Sequence, residues 1–217
     1  MSADLPRYDA DAVREALDGN EPEPARVAGV VLAGGTSSRF GEANKLLAGL
    51  DGEPVVRHAA RTLLSAALDR VVVVVGYEAG TVREAVADLD VTVVENPDYA
   101  AGMSTSVERG VRALDGTDAR AAVFLPGDMP AVDPGAVDLL VDAYRAGLGT
   151  ALAAAYDGQR GNPVLFDRGH FEALASVEGD TGGREVLLDA AAGGLVETSD
   201  PGIRRDIDTQ DDLADLR

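Results

Sequence analysis

The sequence predicts an α/β fold in three layers, a mostly parallel central sheet with helices on both faces. Three observations predict it. From residue 26 onward, apolar runs alternate with amphipathic stretches, the pattern of successive strand–helix–strand units. One run, Val71 to Val75, is β-branched at every position, as a strand covered on both faces must be. And 217 residues with 46% hydrophobic content can bury a full core without cross-links, which a chain with no cysteine could not form anyway.

The elements follow in order. Residues 1–25 are acidic and contain Glu21-Pro22-Glu23-Pro24; a short helix is expected near 11–17, then a linker, so 1–25 reads as an N-terminal extension. Strands are expected at 27–32, 70–75, 91–95 and 121–125, with helices near 54–67, 81–89, 104–114 and 134–146. After residue 150 the alternation weakens: strands at 150–156, 163–166, 195–198 and 203–207, helices near 168–175, 183–192 and 210–216. Residues 26–217 thus read as one domain, an α/β nucleotide-binding half over about 26–150 followed by a more irregular substrate half over 151–217.

Composition excludes several classes of function. Without cysteine there is no zinc–thiolate site, iron–sulfur cluster or thiol nucleophile. A net charge of −19 opposes nucleic-acid binding, which depends on clustered lysine and arginine. It suits instead a solvated surface in high salt, where self-repulsion is screened. Hyperthermophiles enrich lysine and glutamate, so near absence of lysine points to salt rather than heat. No signal-peptide pattern and no run of eighteen apolar residues is present, and the expectation is a soluble, cytoplasmic protein with no membrane partner.

In a doubly wound sheet, ligands bind beyond the carboxyl ends of the strands. There the chain places Ala33-Gly34-Gly35-Thr36-Ser37-Ser38-Arg39-Phe40-Gly41, then Gly76-Tyr77, Asn96-Pro97-Asp98 and Pro126-Gly127-Asp128-Met129-Pro130. The first loop is neither a Walker A motif nor G-x-G-x-x-G. Its glycines allow successive amides to turn toward an anion, and Arg39 and Lys45 add positive charge, an arrangement that fits a polyphosphate. Lys45 is the sole lysine; the other eighteen basic residues are arginine. A compact ammonium rather than a planar fork is therefore wanted there. The plainer reading is a glycine-rich β-to-α turn.

Asp128, between glycine and a Met-Pro step, would hold a carboxylate at the floor of the cleft as a Mg²⁺ ligand, or simply form a turn. Asp206 and Asp208, two apart on an extended segment, would share a face and offer further metal contacts; alternatively Asp208 or Thr209 caps the last helix. Gly161-Asn162-Pro163 and Gly179-Asp180-Thr181-Gly182-Gly183-Arg184 are two more small-residue turns, the second either an anion-accepting helix start or an ordinary capped one. His58 and His170 stand alone and read as helix or surface residues.

The strings Leu32-Ala-Gly-Gly-Thr-Ser-Ser-Arg-Phe-Gly…Lys45, Asn96-Pro-Asp-Tyr-Ala-Ala-Gly-Met-Ser-Thr-Ser106, Leu125-Pro-Gly-Asp-Met-Pro130, Gly161-Asn-Pro-Val-Leu-Phe166, Gly179-Asp-Thr-Gly-Gly-Arg184 and Asp206-Ile-Asp-Thr209 occur in that order. Together they resemble the molybdenum cofactor nucleotidyltransferases (MobA-like), and most of all their cytidylyltransferase branch, over about residues 26–217. The resemblance implies a Rossmann-like sheet of the nucleotide-diphospho-sugar transferase kind and a Mg²⁺-dependent reaction. In it, a molybdopterin or molybdenum cofactor phosphate attacks the α-phosphate of a nucleoside triphosphate and pyrophosphate leaves. It further implies Arg39, Lys45 and Asp128 as catalytic residues, and Leu32, Ala33, Gly34, Gly35, Ser38, Lys45, Gly76, Asn96, Ser104 and Asp128 around the nucleotide. Asn162 and Arg184 would face the acceptor, and Asp128, Asp208 and Asp206 the metal. A molybdenum hydroxylase or its chaperone would be the downstream partner. Gly35 stands where cytidylyl members more often carry alanine, which looks more like the guanylyl branch; Phe40 replaces a usual methionine. CTP is favoured, with a guanylyl or other phosphorylated-acceptor transferase as the alternative, and a non-catalytic nucleotide-binding chaperone as the alternative of another class.

Overall fold

A computed structural model of the chain describes residues 5–19, 25–37, 40–41, 43–179 and 183–217. In chain order its elements are β1 (Arg7–Tyr8), α1 (Ala10–Gly19), β2 (Val27–Ala33), the ribbon β3 (Gly49–Leu50) and β4 (Glu53–Pro54), α2 (Val55–Ser65) and β5 (Arg70–Val75). Next come α3 (Ala79–Ala85), β6 (Thr92–Glu95), α4 (Met103–Arg112), β7 (Ala121–Pro126) and α5 (Pro134–Arg145). The remainder is β8 (Ala151–Tyr156), β9 (Gln159–Asp167), α6 (Phe171–Ala175), α7 (Arg184–Asp189), β10 (Gly193–Glu197) and α8 (Gln210–Ala214).

The main sheet runs β1-β10-β8-β9-β7-β2-β5-β6. Every pairing in it is parallel except those of β9 with β7 and β8. Alternation along the central strands explains the continuous apolar runs. Val31, Val73, Val75 and Leu125 face a core layer closed by α2 and α5, while Val30, Val72, Val74 and Phe124 face one closed by α4 and α6. Both faces are thus dry, and the loops at the strands' carboxyl ends are left to carry chemistry. Residues 7–19 join the same body: β1 pairs with β10, and Val13 of α1 is buried in the core beside α5. Among the described residues, no helix is long and apolar enough to cross a membrane.

Three departures from the expected elements shape the site. The strand expected at 163–166 is the longer β9, because Asp157 and Gly158, at φ 50° and 68°, close a two-residue hairpin from β8. This reversal brings the start of β9 to the carboxyl edge of the parallel strands. The strand expected at 203–207 does not form. Asp200 instead caps a 3₁₀ turn, Pro201–Arg204, through Gly202 N–H, and Ile203 and Ile207 are fully buried anchors on either side of an irregular segment. Its apolar pattern reflected separate anchoring points, not a ladder. The helix expected at 168–175 divides into a 3₁₀ turn, Arg168–His170, and the short α6.

Candidate active site

The loop after β2, the 3₁₀ turn Lys45–Leu47, the loop after β7, the start of β9 and residues 203–208 surround a cleft of about 720 Å³. The β2 loop is held by close backbone approach. A Cβ on Gly76 would lie 2.8 Å from Gly34 O and 2.9 Å from Gly34 Cα, so the loops after β2 and β5 meet where only glycine fits. Ser37, at φ 56°, turns its hydroxyl inward. Its Oγ donates to Asn44 Oδ1 (3.2 Å) and accepts from Lys45 N–H (3.2 Å). Asn44 Oδ1 in turn accepts from Leu46 N–H (3.0 Å) and caps the turn that Lys45 begins. The backbone of Lys45 is therefore pinned to the glycine-rich loop.

Lys45 Nζ lies 2.6 Å from Asp128 Oδ2 and 3.0 Å from Asp208 Oδ1. Two hydrogen bonds, Ile207 N–H to Asp128 O at 2.9 Å and Asp133 N–H to Asp200 Oδ2 at 2.8 Å, hold the irregular segment beside the β7 loop and so join carboxylates about eighty positions apart in the chain. Thr209 then caps α8 in a reciprocal box with Asp212, whose Oδ2 also accepts from Asp208 N–H (3.0 Å). Thr209 is thus the capping residue of the two considered, and Asp208 lines the cleft. Burial pushes the Lys45 pKa down, but Asp128 and Asp208 together outweigh it and the net shift is upward. For Asp128, burial is the leading influence and raises the pKa; Lys45 opposes it and Asp206 adds to it. Each partner thus stabilises the charge of the other against the cost of burial.

Asp128 Oδ1 is buried and, among the described residues, has no hydrogen-bond partner. An orphaned carboxylate oxygen of this kind, with Asp208 on the same cation and Asp206 near enough to influence Asp128, is a hard-oxygen donor set that fits a divalent ion. Among the described residues no three acidic or histidine side chains converge on one point. Two carboxylates with substrate phosphates completing the shell is the usual Mg²⁺ arrangement.

Of the residues expected from the sequence, Leu32, Gly34, Gly35, Lys45, Asp128, Asn162, Asp206 and Asp208 line the cleft. Ala33, Gly76, Asn96 and Ser104 are buried behind its wall. Asn96 Nδ2 donates to Thr105 Oγ1 (2.8 Å) and Ser106 Oγ (3.0 Å) while its Oδ1 accepts from Asp98 N–H, so the amide braces the loop after β6. Ser104 N–H donates to Gly179 O. Arg184 is exposed on α7, outside the cleft lining. Ser38, Arg39 and Thr181 lie outside the described residues. His58 meets Leu50 O and His170 meets Thr150 Oγ1, both away from the cleft.

Sequence reasoning missed several lining residues. Arg160 and Arg204 stand on the β9 side of Asp128, away from the glycine-rich loop, and among the described residues neither is paired with a carboxylate. Burial, then the like charge of Arg184, lowers the Arg160 pKa. Its signal was available: Arg160 is two positions before Asn162, hence on the same face of an extended strand. Tyr99 and Met103 form an apolar wall, and Thr36, Ser37 and Ser106 add hydroxyls.

Comparison with known proteins bears on the family of the chain. Residues 29–193 match the family model described as the MobA-like NTP transferase domain. The nicotine blue oxidoreductase of Paenarthrobacter nicotinovorans is 33% identical over 86% of this chain and 94% of its own length. The molybdenum cofactor cytidylyltransferase of Escherichia coli is 27% identical over 85% of this chain and 92% of its own. Among solved structures, Rv0371c of Mycobacterium tuberculosis in complex with manganese superposes with a TM-score of 0.73, at 26% identity, over 88% of this chain and 98% of that one. The chain belongs to the MobA-like NTP transferase domain family and is a nucleotidyltransferase by family.

Proposed function

We propose that the protein transfers a nucleoside monophosphate, CMP in the favoured reading, from the triphosphate to the phosphate of molybdopterin or the molybdenum cofactor. An acceptor phosphate oxygen bonds to the α-phosphorus, the bond from that phosphorus to the β-bridging oxygen breaks, and pyrophosphate carries the electron pair away. The observation that carries this reading is the Lys45–Asp128–Asp208 cluster at the floor of the cleft beside the glycine-rich loop. Such a transfer requires alignment and charge neutralisation, and no covalent nucleophile. Amides around Gly34 and Gly35, with Lys45 and Arg39, would hold the triphosphate; Asp128 and Asp208, with Asp206, would hold a divalent cation, Mg²⁺ in this reading. When bound, that ion supplies charge neutralisation to the triphosphate and the departing pyrophosphate. Asn162, Arg160 and Arg204 face the acceptor, with Arg184 beside Arg160 adding to the positive field. Gly35 favours a second reading within the same chemistry, guanylyl transfer.

The test is thermal stabilisation by CTP, GTP, ATP and UTP, each with and without Mg²⁺ or Mn²⁺, followed by pyrophosphate release in the presence of molybdopterin. Metal-dependent stabilisation by CTP and pyrophosphate release only with acceptor are expected. Selectivity for GTP would move the assignment to the guanylyl branch, and no shift with any triphosphate would overturn nucleotidyl transfer for this chain.

A further inference from the structure

Lys45 is the one ammonium among nineteen basic residues, and it is placed between the two carboxylates that the proposed reaction needs for its metal. One pair of anions therefore serves two cations. Both cannot be well satisfied at once. If they shared an oxygen they would clash, and if they shared a carboxylate a monovalent charge would sit beside a divalent one in partly buried surroundings, where repulsion is weakly screened. Removing the ammonium with nothing in its place would be as unfavourable, since it would take from Asp128 the cation that opposes its burial, in a chain of net charge −19 and with Asp206 nearby.

We infer that Lys45 is an internal counter-ion that closes the metal site until nucleotide arrives: the triphosphate draws the ammonium off Asp128 and Asp208, and the divalent cation replaces it there. The assignment of those two carboxylates as metal ligands rests on the function proposed above. Three features of the chain support the exchange. Ser37 and Asn44 fix the Lys45 backbone next to the glycine-rich loop, so only the side chain has to move between carboxylates and phosphate. Lysine's flexible stem and point charge suit a group with two stations, whereas the planar fork of arginine would hold a carboxylate in one geometry. Asp128 Oδ1, buried and among the described residues without a hydrogen-bond partner, is one oxygen that the ammonium leaves unused. By linkage, metal and nucleotide then strengthen each other's binding, and metal alone binds weakly.

The test is equilibrium Mn²⁺ binding without nucleotide, followed by the electron paramagnetic resonance signal of the free ion, on the full chain and its Lys45→Met and Lys45→Arg variants, each also carrying Asp128→Asn. Lys45→Met should bind Mn²⁺ at least about tenfold more tightly than the parent, because a competing cation has gone. Lys45→Arg, which keeps the charge, should gain nothing, and Asp128→Asn should remove the gain. Mn²⁺ should also raise the melting temperature of Lys45→Met more than that of the parent. Equal or weaker binding by Lys45→Met, with Asp128→Asn abolishing binding in both backgrounds, would overturn the counter-ion inference and leave the metal-dependent reaction standing. Mn²⁺ binding indifferent to Asp128→Asn would overturn both. Should Lys45→Met not fold, Lys45→Gln carries the same comparison.

Discussion

Arg160 and Gly76 show how differently two residues of one site respond to change. Arg160 lines the cleft with no acidic partner among the described residues, so its replacement disturbs little else. Arg160→Gln should raise the KM for the acceptor about tenfold or more, the equivalent of one charge-assisted hydrogen bond of roughly 1.5–3 kcal/mol, and leave the KM for nucleotide unchanged. Initial rates with each substrate varied in turn check this; equal rises in both constants would place Arg160 elsewhere. Gly76 has no such freedom, since an added Cβ meets Gly34 backbone atoms at 2.8 and 2.9 Å. Gly76→Ala should cost about 1–3 kcal/mol of stability, read from urea unfolding. Gly35→Ala provides the contrast: a Cβ there meets nothing within 4 Å, so this variant should fold normally and isolate any effect on the ratio of CTP to GTP use. A melting point lowered as far as that of Gly76→Ala would contradict this reading of the loop.

At the scale of elements, neighbouring helices are clasped to one another as well as packed on the sheet. Arg57 of α2 donates to Ala85 O at the end of α3 and pairs with Asp88 just beyond it. The hydrogen bond from Arg57 is the main cause that lowers the Asp88 pKa from 3.8 to about 2. A carboxylate whose pKa is depressed on folding contributes stability that is complete above its unfolded value and lost as pH falls through the folded one. Asp88→Asn should therefore lower the urea midpoint by a constant amount from pH 7 to about 5, with the difference shrinking below about pH 4. An unchanged difference at the lowest pH would show that the clasp acts by packing alone. The elements themselves were legible where periodicity was strong: Val27–Ala33, Arg70–Val75, Ala121–Pro126 and Pro134–Arg145 lie within a residue of the expected bounds. They were less legible where tertiary anchors imitate a pattern. Ile203 and Ile207 are apolar because each fills a different cluster, and no strand joins them.

For the whole molecule, charge is the dominant prediction. With 38 acidic against 19 basic residues, self-repulsion should weaken as salt rises. The melting temperature should climb from low salt to molar KCl; a flat or falling curve would remove the high-salt interpretation. The sequence by itself determined the α/β class, the parallel core and the loops that line the cleft, because hydrophobic period and glycine-rich turns are local properties written in consecutive residues. It also singled out Lys45, Asp128, Asp206 and Asp208 by residue type and motif. What only the tertiary structure decided was their company. Asp208 reaches Lys45 because hydrogen bonds hold its segment against the distant β7 loop, Arg160 enters the cleft because a two-residue hairpin reverses β9, and Asn96 is spent on bracing a loop. Contacts of this kind depend on where long-range pairing brings the chain back to itself, and no window of neighbouring residues encodes that closure.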